Sequence, residues 1–192
     1  WVGRTALGAS DTVTRIKASD CTIVDSTTVE DGPHYGALDG AGSIWVANSD
    51  SDDVQNLSLT GATVQQTFSV SRLPLGIVAV DDNVWVASRE ANLLTKIRVS
   101  DGATLATVSI IGKPVYWGYD GTSLWVSLWD SGQVAKLNPS TGALLESFNV
   151  GLQPQWMVSD GSDIFVANSG DGTVSKLVGA ANGAFITQPN QP

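Results

Sequence analysis

Apolar residues in this chain of 192 residues gather in short unbroken runs. The sharpest are Ile44-Trp45-Val46-Ala47, Val84-Trp85-Val86-Ala87, Leu124-Trp125-Val126 and Ile164-Phe165-Val166-Ala167. A strand with one wet face alternates apolar and polar residues. A run that is apolar in both phases reads as a strand buried on both faces.

These runs repeat. Trp45, Trp85, Trp125 and Phe165 stand 40 residues apart, Pro74, Pro114 and Pro154 keep the same step, and Pro33 is one residue off it. An aliphatic residue follows each aromatic by nine positions (Val54, Leu94, Val134, Val174), and another follows three later (Leu57, Ile97, Leu137, Leu177). Phe68, Val108 and Phe148 each lie 23 residues after their Trp.

The pattern predicts four short strands per repeat. The first follows the proline, as in residues 76–80, and the second is the Trp-centred run. A polar hairpin leads to the third, such as residues 93–99. A turn such as Thr60-Gly61, Asp101-Gly102 or Thr141-Gly142 leads to the fourth, such as residues 103–111. Glycine in these turns supplies the positive φ of a tight hairpin. A lone four-stranded sheet cannot bury both faces of its second strand, whereas sheets stacked around an axis can. The expected fold is therefore all-β: a β-propeller of four-stranded antiparallel blades. It forms one domain over 1–192, with a partial blade at 1–32 and blades at 33–73, 74–113, 114–153 and 154–192. A two-sheet sandwich gives no reason for a strict period.

Trp1-Val2 aligns with a second strand, residues 12–17 with a third and residues 22–29 with a fourth. The first repeat thus lacks its innermost strand, and 19 strands are expected. The expectation is an incomplete part of a larger propeller of six to eight blades, with a five-bladed ring holding one incomplete blade as the alternative. The sequence opens on Trp1 and not Met, which suits a processed, trimmed or partial chain.

Composition narrows the function. Hydrophobic content of 42% fits a folded domain, and charged residues are only 15%. The net charge of −9 repels phosphate backbones and argues against nucleic acid as a partner. No apolar run reaches the ~18 residues that cross a bilayer, so no membrane insertion is expected. Cys21 is the only cysteine, which rules out an internal disulfide and reads as a small half-buried residue.

The segments PLGIVAVDDNVWVASRE…LLTKIRVSDGATLATVSI and PQWMVSDGSDIFVANSGDGTVSKL resemble YVTN-type β-propeller repeats, and the resemblance covers nearly the whole chain. It implies a secreted, periplasmic or cell-surface protein. The repeats are also similar to those of the virginiamycin B lyase family. That resemblance implies His and Glu residues around a divalent metal, yet the chain has a single histidine, His34.

In a blade, the connection from fourth to first strand and the hairpin from second to third strand share one face, the top. Here the top departs from the repeat. Its lead-in segments PHYG, PLGI, PVYWG and PQWM bring His34, Tyr35, Tyr116, Trp117, Trp156 and Met157 towards the channel mouth. Its hairpins add Asp50, Asp52 and Asp53, Arg89 and Glu90, Trp129 and Asp130, and Asp171. The partial repeat carries three extra residues in the same hairpin, 12 from Trp1 to Val13 against the usual nine. Variable loops on a rigid scaffold are where binding usually lives. The candidate ligand-binding set is His34, Tyr35, Tyr116, Trp117, Trp129, Asp130 and Trp156. The same aromatics would equally serve to plug the channel or pack between blades. Asp50, Asp52 and Asp53 are a weak candidate for Ca²⁺, lacking the Gly and distal Glu of an EF-hand loop, so they read first as a solvated hairpin. No cofactor is otherwise expected. Arg15, Asn56, Lys96, Lys136 and Lys176 recur at one position of the third strand and read as scaffold, with stems on the sheet and heads in water.

Three functional readings follow. The leading one is a non-catalytic extracellular or cell-surface binding and scaffold propeller whose top face engages a protein, a glycan or a neighbouring subunit by self-association. The alternatives are a propeller lyase or hydrolase with its site at the channel mouth, and a structural subunit of a surface layer or filament. No nucleophile–base pair and no metal-ligand spacing is present to favour catalysis.

Overall fold

The computed structural model describes residues 2–4, 11–178 and 184–188, with side chains placed for 11–177. Every regular element among the described residues is a strand, and there are nineteen, as expected. They form five antiparallel sheets, each drawn from one repeat and each running in chain order. The first is β1 (Val2–Arg4), β2 (Thr12–Ile16) and β3 (Ile23–Thr28). The second is β4 (Pro33–Leu38), β5 (Ser43–Asn48), β6 (Asp53–Ser58) and β7 (Val64–Ser69). The third is β8 (Pro74–Val80), β9 (Asn83–Ser88), β10 (Leu93–Arg98) and β11 (Thr104–Ser109). The fourth is β12 (Pro114–Tyr119), β13 (Leu124–Leu128), β14 (Gln133–Leu137) and β15 (Leu144–Asn149). The fifth is β16 (Pro154–Ser159), β17 (Ile164–Asn168), β18 (Thr173–Val178) and β19 (Ala184–Gln188). The first sheet has three strands and begins at the second-strand position, as its alignment to the repeat predicts.

The chain divides into two compact units, Trp1–Ala91 with Thr95–Leu105 and Asn92–Leu94 with Ala106–Pro192. In the first, Val13 of one sheet packs against Ile44, Val46 and Leu57 of the next. Trp45, Ala47 and Val54 of that sheet pack in turn against Ile77, Val84, Val86 and Ile97. In the second unit, Trp125, Val134 and Phe148 pack against Ile164, Val166 and Leu177. The second strand therefore works with both faces, one for each neighbouring sheet. That is why its sequence does not alternate. Burying an indole such as Trp45 at roughly 25 cal/mol per Å² makes the aromatic position the largest single anchor of each interface.

Left-handed backbone recurs with the repeat. It falls at Gly40, Asp81, Gly121 and Gly161 between first and second strands, and at Asp52, Asn92, Gly132 and Gly172 between second and third. It falls again at Cys21, Ala62, Gly102 and Gly142 before the fourth strand, and at Gly32, Leu73, Lys113 and Gln153 between sheets. Leu73, Lys113 and Gln153 are not residues that favour this region, and each costs about 1 kcal/mol there. Hydrogen bonds to both flanking hairpins hold Leu73 and Lys113 in place, and one to the following hairpin holds Gln153, as described below.

Two expectations change. Cys21 is exposed and not half-buried, because it occupies the left-handed turn position shared with Gly102 and Gly142. The third-strand lysines do not simply reach water. Lys136 lies opposite Trp125 in the register and is 9% exposed, with its ammonium 5.1 Å from the centre of the indole ring. Lys96 sits over Trp85 at 5.7 Å and Lys176 over Phe165 at 5.3 Å. Each cation covers the π-face of its cross-strand partner.

Candidate functional site

Every complete sheet opens on a proline, and the pairing of its first strand slips immediately afterwards. The irregularity falls between Pro33 and Tyr35, Pro74 and Gly76, Pro114 and Trp117, and Pro154 and Met157. Proline is tolerated at the first position of a strand, and a bulge beside it turns side chains out of the ladder. The residues inside these bulges are His34, Leu75, Val115 with Tyr116, and Gln155 with Trp156. Three of the predicted site residues, His34, Tyr116 and Trp156, are thus re-aimed by the same device.

The connections between sheets are latched to the second-to-third hairpins, which places both on one rim. The carbonyls of Asp11, Asp52, Asn92 and Gly132 accept the N–H groups of Val29, Val70, Ile110 and Val150. The side chains of Asp11, Asp52 and Asn92 accept the N–H groups of Gly32, Leu73 and Lys113 at 2.6, 2.7 and 2.9 Å. The connection then bonds forward. The carbonyls of Gly32, Leu73, Lys113 and Gln153 accept from the N–H groups of Ser49, Arg89, Trp129 and Ser169 in the following hairpins. Sequence reading missed this latch. Its signal was an Asp or Asn at 11, 52 and 92, a spacing close to 40.

In the second unit the latched rim holds an open cleft of about 310 Å³, lined by Trp129, Asp130, Ser131, Gly132, Leu152, Gln153 and Gly170. Backbone bonds fix its floor. Asp130 N–H donates to the Gly112 carbonyl at 2.9 Å, Gly170 N–H to Leu152 at 2.9 Å and Ser169 N–H to Gln153 at 3.1 Å. Leu152 N–H donates to Asp171 Oδ2 at 2.9 Å. The Thr173 hydroxyl and that N–H hold the Asp171 carboxyl below the usual carboxylate range. The Asp130 carboxylate, half-exposed, pairs with Lys113 Nζ at 3.3 Å. The groups available to a ligand are an indole, a carboxylate, a hydroxyl and a primary amide on a backbone that does not need to rearrange.

The remaining predicted residues lie elsewhere. Tyr116 is buried and stacks on Trp156, with ring centres 4.2 Å apart. Trp156 is 47% exposed and faces a second, apolar hollow with Met157 and Val158. Trp117 is 6% exposed and so covered, and Tyr35 is half-buried against the core around Trp45. His34 is exposed in its bulge. Partial desolvation outweighs its bond with the Leu75 backbone and the Asp50 carboxylate, and its imidazole titrates below the ordinary histidine value. Among the described residues, no three His, Cys, Asp or Glu side chains converge as a metal-holding group. Asp52 is taken by the Leu73 N–H and Asp53 accepts from Asn48 Nδ2 at 2.7 Å. Asp50 accepts from the Ser49 hydroxyl at 3.3 Å. The long hairpin expected in the first repeat lies largely outside the described residues.

No protein-family model matches the chain, and no curated protein matches it in sequence. Solved structures do match. Hydrazine synthase of Kuenenia stuttgartiensis is 17% identical and superposes with a TM-score of 0.78 over 93% of this chain and 60% of its own. A catalytically inactive virginiamycin B lyase from Staphylococcus aureus with quinupristin is 16% identical, with a TM-score of 0.78 over 93% and 62%. BamB from Moraxella catarrhalis is 13% identical, with a TM-score of 0.71 over 95% and 62%.

The fold is a β-propeller.

At these identities the comparison speaks of fold alone. The chain spans about three fifths of the length of these structures. Its five sheets are propeller blades, four of four strands and one of three among the described residues. No helix among the described residues is long and apolar enough to cross a membrane.

Proposed function

We propose that this propeller is a non-catalytic binding and scaffold module of YVTN type that works outside the cytoplasm and engages a protein or glycan through its top-face loops. The observation that carries the reading is the cleft in which Trp129 and Asp130 lie beside Gln153. An indole beside a carboxylate, a hydroxyl and an amide offers one stacking surface ringed by hydrogen-bonding groups. That is the composition of a recognition site and not of an acid–base or nucleophilic one. The latch supports the same reading, because a pre-organised rim loses little entropy when a ligand orders on it. The YVTN-type repeats support placement in the periplasm, at the cell surface or in the medium. No metal or other cofactor is needed.

The test is tryptophan fluorescence and calorimetry of the chain against panels of oligosaccharides and of short peptides. A hit should weaken at least about tenfold in Trp129→Ala, with the melting temperature unchanged. Loss of the fold in Trp129→Ala, or binding that ignores Trp129, Asp130 and Gln153 alike, would sink the reading.

A further inference from the structure

The second-to-third hairpins share one backbone plan, and the last of them departs from it in chemistry. Gly32, Leu73, Lys113 and Gln153 hold equivalent left-handed positions, and their carbonyls accept from the N–H groups of Ser49, Arg89, Trp129 and Ser169. The residues that follow those four are Asp50, Glu90, Asp130 and Gly170. Three hairpins thus carry a carboxylate at this place, and the last carries no side chain at all. Glu90 pairs with Arg89 at 3.2 Å, and Asp130 pairs with Lys113 of the connection at 3.3 Å. One blade later, Gln153 stands where Lys113 stood and Gly170 where Asp130 stood. A neutral amide and an empty place replace the ion pair. The empty place matters sterically: a Cβ at Gly170 would stand 2.8 Å from Leu152 Cβ and 3.1 Å from Gln153 Cγ. The cleft beside Trp129 opens where these two exchanges occur.

We propose that this cleft takes a neutral sugar ring, a pyranoside with adjacent hydroxyls and no formal charge; the inference rests on the binding reading above and narrows it to one ligand class. Charge is the first selector. Among the described residues that line the cleft Asp130 alone is charged, and Lys113 already balances it. A cationic ligand therefore finds no unbalanced carboxylate, and an anionic one finds no unbalanced cation. Hydrogen bonding is the second. The N–H groups of Trp129, Asp130, Ser169 and Gly170 are spent on the carbonyls of Lys113, Gly112, Gln153 and Leu152, and the Gly132 carbonyl accepts from Val150. An extended peptide binds chiefly through main-chain ladders, and those groups of the floor are committed. Recognition falls to the lining side chains: the Trp129 indole, the Asp130 carboxylate, the Ser131 hydroxyl and the Gln153 amide. A sugar ring matches them with a face of C–H groups for the indole and a rim of hydroxyls that both donate and accept. The volume of about 310 Å³ lies at the small end for ligand sites, which suits the end of a glycan chain.

The experiment titrates the 192-residue chain with methyl glycosides of neutral hexoses and, for each, the matching amino sugar and uronic acid. Tryptophan fluorescence and saturation-transfer NMR read the binding, and a panel of neutral short peptides runs beside the sugars. At least one neutral glycoside should bind, and its amino and uronic counterparts should bind at least about tenfold more weakly. The variants are Gln153→Leu and Gln153→Lys. Equivalent connections already hold these residues at the same backbone conformation, as Leu73 and Lys113, so the fold should be retained. Gln153→Leu should weaken the neutral glycoside about tenfold with the melting temperature unchanged. Gln153→Lys should move the preference towards the uronic acid, because its cation has no carboxylate at Gly170 to balance it. An amino sugar or uronic acid that binds the unaltered chain as tightly as the neutral glycoside overturns the proposal. So does a neutral glycoside whose binding ignores both Gln153→Leu and Trp129→Ala. Peptides that bind through Trp129 and Gln153 while every glycoside fails overturn the sugar assignment and leave the binding reading standing. Failure of both panels overturns the two together.

Discussion

The indole Nε1 of Trp125 donates to the carboxylate of Asp120 at 2.8 Å, so the largest core side chain of its blade is tied to the turn that precedes its strand. The other carboxylate oxygen closes that turn, accepting from Thr122 N–H at 2.8 Å and Ser123 N–H at 2.6 Å. Asp39 does the same for Trp45, at 3.1 Å. Asp160 closes its turn through Ser162 and Asp163, but its aromatic is Phe165, which has no N–H to give. In the blades of Trp45 and Trp125 one aspartate thus sets both the hairpin and the rotamer of the interface aromatic.

This pairing predicts acid sensitivity. Burial raises the Asp120 carboxyl, but the hydrogen bonds from Ser123, Trp125 and Thr122 outweigh it and leave the group below its ordinary value. A carboxyl depressed on folding contributes stability above its unfolded pKa of about 4, and that contribution disappears as pH falls through the folded value. Urea unfolding between neutral pH and pH 3 should show stability falling with pH. Asp120→Asn should flatten part of the slope, and Asp120→Ala should cost about 1–3 kcal/mol at neutral pH.

Gly102 should not accept a side chain. A Cβ built there would stand 1.8 Å from Phe68 Cε1, and the backbone is left-handed at φ 71. Phe68 itself stacks on Trp45 at 5.3 Å and cannot retreat without disturbing that ring. Gly102→Ala is expected to destabilise by about 2–4 kcal/mol, combining overpacking with backbone strain. Gly121→Ala is the control, since a Cβ there meets nothing within 4 Å and only the strain of φ 90 remains. Chemical denaturation of the two variants measures the difference.

The rim latch predicts a rescue. Asp52→Ala removes the acceptor of the Leu73 N–H and should cost about 1–2 kcal/mol. Asp52→Asn should restore most of it, because Asn92 performs the same task for Lys113 with an amide oxygen. Differential scanning calorimetry of the pair decides this. The same engagement of Asp52 and Asp53 by internal donors predicts that added Ca²⁺ produces no thermal shift.

His34 should titrate below its ordinary value of about 6.5. Its folded pKa is lowered, so the neutral ring is the favoured form in the fold. The associated stability is complete above about pH 6.5 and is lost as pH falls towards the folded value. Proton NMR of the imidazole gives the midpoint directly, and a midpoint above 6.5 would contradict the desolvation argument. His34→Gln should remove this step from the pH profile of stability.

Much of the architecture was legible beforehand because the repeat encodes it. The spacing of Trp45, Trp85, Trp125 and Phe165 dictates one interface aromatic per blade, and the unbroken apolar run around each dictates two buried faces. Positions that vary within the repeat were harder to place. Trp117 and Trp156 occupy neighbouring places after their prolines, yet one is buried and the other half-exposed; the register aligns Trp156 with Tyr116 and not with Trp117. The lysines opposite Trp125 and Phe165 looked like solvated scaffold, since a sequence does not display which ring lies across the ladder.

The sequence by itself determined the strand order and the side chains that face a neighbouring blade. Those depend on period and hydrophobicity, both of which are local. Only the tertiary structure decided that Asp52 and Asn92 latch the rim and that Trp129 and Asp130 meet Gln153 in one cleft. Those outcomes depend on what stands opposite each residue across a gap in the chain, which no period reports.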